Sequence, residues 1–223
     1  MRRIKMSKTK TMLAQAAVLF ACLMSTLTAA ENTGSPKKPN IVLIVADDMS
    51  WADVGCYGNQ DVKTPTLDAL AKEGLRFTHC FTATAMCAPT RQQLYTGLFP
   101  KRNGAVANHT KVHPGTKSVV HHLEALGYTV ALQGKTHFGP KTSFPFKNAS
   151  LKKLCKGEKP FAYIFCSHNP HLPWTEGKNI SYDPASFTIP PYLLDTPETR
   201  TALSMYYKEI SALDQQVKKF LDI

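Results

Sequence analysis

Apolar residues fall into two kinds of run along this chain. Ile41-Val42-Leu43-Ile44-Val45-Ala46 is continuous and β-branched, which predicts a strand buried on both faces, as in a parallel sheet. Tyr128 to Gln133 and Phe161-Ala162-Tyr163-Ile164-Phe165-Cys166 predict two further strands, and Phe77 to Phe81 a short one. Elsewhere apolar residues recur at steps of three and four. Leu67, Leu70, Ala71 and Leu75 do so after Thr64-Pro65, with Thr64 as N-cap and Pro65 in the first turn. Ala202, Tyr206, Ile210, Leu213, Val217 and Phe220 do so after Thr196-Pro197, predicting the longest helix. Another helix is expected from near Pro89 to Thr96-Gly97, and another over Ser118 to Leu126, stopped by Gly127. Phe144 to Lys159 has weak periodicity and reads as loop. Strands alternating with helices predict an α/β fold: a mostly parallel central sheet flanked by helices.

Three apolar strands end in polar clusters: Asp47-Asp48, Lys135 with His137, and His168 with His171. Ligands of parallel α/β sheets bind beyond the carboxyl ends of the strands, so these segments are expected to meet at one edge. Adjacent carboxylates repel, and a hard divalent cation would compensate them; a loop start facing water is the plainer reading. In Cys87-Ala88-Pro89-Thr90-Arg91 a cysteine stands at the positive end of a helix, with Arg91 one turn along. A buried cysteine with a surface arginine would look the same over so short a stretch.

The first thirty residues change the charge picture. Arg2, Arg3, Lys5, Lys8 and Lys10 precede an apolar run from Met12 to Leu27, which ends in Thr28-Ala29-Ala30. This predicts a signal peptide over residues 1–30, cleaved near Ala30, and a secreted or periplasmic product. The apolar core is short of the ~20 residues of a spanning helix, so no membrane association beyond export is expected. A lipoprotein site at Leu19-Phe20-Ala21-Cys22 is disfavoured by the bulky Phe20. Without these five basic residues the net charge falls from +11 to +6, scattered and without the basic stripe of a nucleic-acid binder. Cys56, Cys80, Cys87, Cys155 and Cys166 remain, an odd number that leaves one unpaired or chemically altered. Residues 31–39 read as a polar linker.

Extended through Leu94, Thr96 and Gly97, the Cys87 stretch resembles the signature of the type I, formylglycine-dependent sulfatases of the alkaline phosphatase-like superfamily. Pro39 to Asp48 is similar to that family's opening strand, Gly134-Lys135-Thr136-His137-Phe138-Gly139 to its G-K-x-H-x-G motif, and His168 to Trp174 to its H-x-P-H segment. Ile189-Pro190-Pro191-Tyr192 and Asp195 to Arg200 resemble the sulfamidase-like branch, which includes heparan N-sulfatases. The resemblance implies removal of sulfate from a sulfated carbohydrate. Cys87 would become formylglycine (3-oxoalanine) through a maturation enzyme, and Asp47, Asp48 and residue 87 would bind one Ca2+. Arg91 would hold the hydrated aldehyde and His137 would act on it as a base. Lys135 and His171 would bind the sulfate and assist the leaving group. His168 is given a supporting or merely structural place, Trp174 is read as core, and His109, His113, His121 and His122 receive no role.

The family pattern also includes a second acidic pair, a further basic residue and a smaller C-terminal domain, none of which this sequence contains. Residues 40–223 are therefore expected to be the N-terminal portion of a catalytic domain, truncated before its last strands. Such a chain would have an incomplete calcium site, an exposed sheet edge and little or no activity alone. Two alternatives stay open: a phosphoester or phosphonate hydrolase of the same superfamily, and a non-catalytic remnant that binds sulfated glycans. Asn108-His109-Thr110, Asn148-Ala149-Ser150 and Asn179-Ile180-Ser181 fit the glycosylation pattern.

Overall fold

Three strands, β1 (Ile41–Val45), β2 (Thr129–Gly134) and β3 (Phe161–Cys166), form a parallel sheet in the order β1-β3-β2. The computed structural model describes residues 38–223, so the expected signal peptide and nearly all of the expected linker lie outside the described residues. The sheet's two faces are read directly from strand alternation. Ala162, Ile164 and Cys166 pack on one face with Val130 and Leu132, beneath Tyr95 of helix α2 (Cys87–Thr96) and Val120 of α4 (Val119–Ala125). Phe161 and Tyr163 pack on the other with Ala131, against Leu151 and Leu154 of α5 (Leu151–Cys155) and Phe220 of α6 (Pro197–Leu221). Val120, Val130 and Tyr163 are fully buried, and each such apolar side chain stabilises the fold by about 1.5–3 kcal/mol. Helix α1 (Pro65–Glu73) packs on α6, and the single turn α3 (Pro100–Asn103) follows α2.

Several expectations need correction. β1 is an edge strand, and Ile41 and Val42 are 40% and 47% exposed rather than buried on both faces. Residues 77–81 form no strand: no ladder lies beside them among the described residues, and Phe77 and Phe81 are exposed. The loop expected over 144–159 contains α5, too short for its period to show, with Ser150 capping the amide of Lys153. Lys147 in the same segment bridges Ala131 in parallel. Helix α2 begins at Cys87, not Pro89; the proline sits in the first turn, where its missing N–H costs nothing. Thr64 starts α1 but makes no side-chain cap. The α1 amides of Thr66 and Leu67 instead donate to the two oxygens of buried Asp214 on α6, at 3.2 and 2.8 Å. Among the described residues, no helix is long and apolar enough to cross a membrane.

Candidate active site

The strand ends are stitched together by main-chain bonds before any side chain contributes. The amide of Ser167 donates to Val45 O, that of Asp47 to Asn169 O and that of Lys135 to Cys166 O, at 2.9, 3.0 and 2.9 Å. Gly134 makes the last approach possible: at φ +94°, a Cβ here would lie 1.9 Å from Cys166 O. The glycine of Gly134-Lys135 is therefore required by close packing exactly one residue before the lysine that enters the site.

Asp47 is 3% exposed and carries two cations. Arg91 Nη2 lies 3.2 Å from Asp47 Oδ1, and Lys135 Nζ pairs with Asp47 Oδ2. Burial pushes the Asp47 carboxyl up, but the hydrogen bonds and charges of Lys135 and then Arg91 outweigh it and hold it below its ordinary value. Arg91 also donates to Lys135 O at 3.3 Å, so one buried guanidinium joins the ends of β1 and β2. Asp48 is 60% exposed and holds a left-handed φ of 64°.

Cys87 occupies the first turn of α2, with its Sγ 3.7 Å from Asp47 Oδ1, 4.0 Å from Asp48 Oδ1 and 3.6 Å from Lys135 Nζ. The free amide of Ala88 at this helix start is capped from a distance by Asn108 Oδ1, at 3.2 Å. Gln92, fully buried, donates to Thr110 O and accepts from the amides of Val112 and Gly139. It thus ties the Cys87 helix to the loop before α4 and to the segment after Lys135. A cleft of 690 Å³ opens over Cys87, lined by Asp47, Asp48, Trp51, Phe81 and Arg91.

His171 completes this group. Its Nε2 lies 3.6 Å from Asp48 Oδ2, and its Nδ1–H donates to Leu172 O at 2.6 Å. Ligand atoms of Asp47, Cys87 and His171 all lie within 4.8 Å of one another. The structure therefore brings together Asp47, Asp48, Cys87, Arg91, Lys135 and His171. His137 stands apart: its Nε2 meets His109 Nδ1 at 3.2 Å, while its Nδ1 is buried and meets no partner. Burial, then Lys135 and His109, hold the His137 imidazole below its ordinary value. His168 is exposed. The Nδ1 of His121 accepts from the Ser118 amide at the start of α4.

Helix α6 supports the site in ways its apolar period does not disclose. The Tyr206 hydroxyl is shared between Asp48 O and Asp53 Oδ2, at 3.0 and 2.8 Å, and its ring packs on Trp174. Glu209, 1% exposed, accepts from Asn169 Nδ2 and from the Glu176 amide. Gln216 donates to Asn169 Oδ1 at 2.9 Å. These polar residues hold the loop from Ser167 to His171. The only signal for them in the sequence is polar side chains on the helix face that also carries Ile210 and Leu213.

Two carboxylates facing position 87 suit a hard cation, and an oxygen at that position would join them; calcium takes six to eight oxygens, more than these residues supply. The donor set therefore fits part of a calcium site.

A parallel sheet with flanking helices and this cleft at its carboxyl edge is the alkaline phosphatase-like architecture of sulfatases. Residues 39–158 match the family model described as Sulfatase, and the chain belongs to that family. It is 52% identical over 153 residues to the ulvan-active sulfatase of Formosa agariphila, covering 60% of this chain and 31% of that protein. It is 28% identical over 231 residues to human N-sulphoglucosamine sulphohydrolase, covering 80% of this chain and 45% of that one. A Bacteroides fragilis protein, yidJ, solved under a sulfatase designation, superposes with a TM-score of 0.72 at 19% identity, over 86% of this chain and 60% of its own. The chain thus spans less than half the length of the two curated relatives.

Proposed function

We propose that this chain builds the cysteine side of a sulfatase centre that removes sulfate from a sulfated carbohydrate, with Cys87 matured to formylglycine. The observation that carries this is the convergence of Cys87 with Asp47, Asp48, Arg91, Lys135 and His171 at the ends of three strands. Formylglycine at position 87 would supply the attacking hydroxyl, and calcium held by Asp47 and Asp48 a Lewis acid for the sulfuryl oxygens. Arg91 and Lys135 bring positive charge to the start of α2, where an anionic group is further favoured by the helix dipole. His137, held neutral, accepts a proton at a ring nitrogen. With its Nδ1–H on Leu172 O, His171 would give a proton to the leaving oxygen or nitrogen from Nε2–H of its imidazolium form. Export by the N-terminal segment, and a catalytic region starting at residue 40, belong to the same proposal.

Sulfate esters and N-sulfates of polysaccharides are the substrate class, as the names of the ulvan-active and N-sulphoglucosamine relatives suggest. The test is release of inorganic sulfate from ulvan and heparan fragments, using this chain joined to the C-terminal part of a homologous sulfatase and co-expressed with a formylglycine-generating enzyme, with Cys87→Ala as control. Sulfate release lost in the control supports the proposal. Hydrolysis of phosphate or phosphonate esters in preference to sulfate would replace it with the other superfamily chemistry. Binding of sulfated sugar without turnover would leave a glycan-binding protein.

A further inference from the structure

We propose that His109 is a positioning residue for His137: His109 Nδ1 accepts from the Nε2–H of His137 and fixes the tautomer that leaves His137 Nδ1 bare. This rests on the reading of His137 as a base. The two ring nitrogens are 3.2 Å apart and the rings 4.9 Å, so one proton lies between them. Its assignment follows from the other end of the His137 ring. Nδ1 there is buried without a partner, and a buried N–H left unpaired is rarer in folded proteins than an unpaired acceptor. The proton therefore belongs on Nε2, and the lone pair on Nδ1 is available to a group placed against it.

The backbone is arranged for this contact. His137 and His109 both hold positive φ, 49° and 64°, a region that residues other than glycine seldom adopt and that marks positions fixed by their surroundings. The loop carrying His109 is clamped on both sides of it to the Cys87 helix, through Asn108 to the Ala88 amide and through Thr110 O to Gln92. The histidine pair thus joins the segment after β2 to the loop that is clamped to the start of α2. Asn108, one of the glycosylation-pattern residues, has its side-chain oxygen committed to this clamp.

The test is long-range 1H–15N spectroscopy of the histidine-labelled chain at neutral pH, with His137 assigned by its loss in His137→Gln. Two variants separate ring from backbone. His109→Gly accepts the positive φ but removes the ring, and His109→Asn also tolerates that φ and restores an acceptor at the position of Nδ1. The wild type is expected to show His137 protonated at Nε2 alone. His109→Gly should give exchange between both tautomers, and His109→Asn should return the single one. A wild-type proton on Nδ1, an unchanged tautomer in His109→Gly, or no recovery in His109→Asn would each overturn the proposal. The spectra do not depend on turnover, so absence of sulfate release by the completed enzyme would count against the sulfatase reading and leave this result standing.

Discussion

Gln92→Met should loosen the Cys87 helix from both segments that flank it. Methionine is close to glutamine in shape and helix propensity, so the exchange removes hydrogen bonds and little else. Ala88 O lies within the helix and keeps its partner there, and the Val112 amide also donates to Gly139 O at 2.9 Å. The Gly139 amide and Thr110 O are left with nothing. An unsatisfied buried group costs about 1–3 kcal/mol. Thr110 is half-buried and its carbonyl can find water, so the expected loss lies towards the low end, about 2–3 kcal/mol. At roughly 2–4 °C per kcal/mol for a domain of this size, the thermal midpoint falls by about 4–12 °C. Urea denaturation of the two proteins, compared at equal slope, measures the difference. A shift within the ~0.5 kcal/mol of an ordinary surface change would refute the clamp.

Asp214→Ala removes the cap of α1 from across the α6 interface and should cost about 1–2 kcal/mol by the same denaturation measurement; no loss would mean water replaces the cap. His137 is held below its ordinary value, so the unfolded chain binds the proton first on acidification. Its contribution to stability is therefore unchanged above the unfolded value of about 6.5 and falls as pH drops below it. The pH 5–7 slope of unfolding free energy should be shallower in His137→Gln, and equal slopes would contradict this. Tyr206→Phe frees the Asp48 carbonyl, and calcium affinity by titration calorimetry should weaken by about 10–100-fold, as for other residues that orient ligands from behind. Unchanged affinity would remove Tyr206 from the site.

The sheet and its site were legible to different depths. β3 stands out in the sequence because a central strand buried on both faces is apolar throughout, and β2 does so through the buried run Val130-Ala131-Leu132. The edge position of β1 did not, because the same composition serves either place. Phe77 to Phe81 shows the limit from the other side: a β-prone stretch forms no ladder without a neighbour. Cys87, Arg91 and Lys135 were singled out by short segments that resemble family motifs, and the fold brings these three side chains to one place. His109 and Tyr206 were not. Their partners lie 28 and 158 residues away, and what joins them is a left-handed backbone in one case and a turn of a packed helix in the other. The position of His109 among Asn108 and Thr110 in a polar loop was the available hint, since histidine is among the residues that tolerate that backbone.

Peptide mass spectrometry across residues 87–91, on protein co-expressed with a formylglycine-generating enzyme, tests the central claim most directly. Conversion of the Cys87 thiol to the aldehyde, with the corresponding loss of mass, is the predicted result. A peptide that retains an intact, alkylatable Cys87 thiol under those conditions would contradict the account of this site as a sulfatase centre.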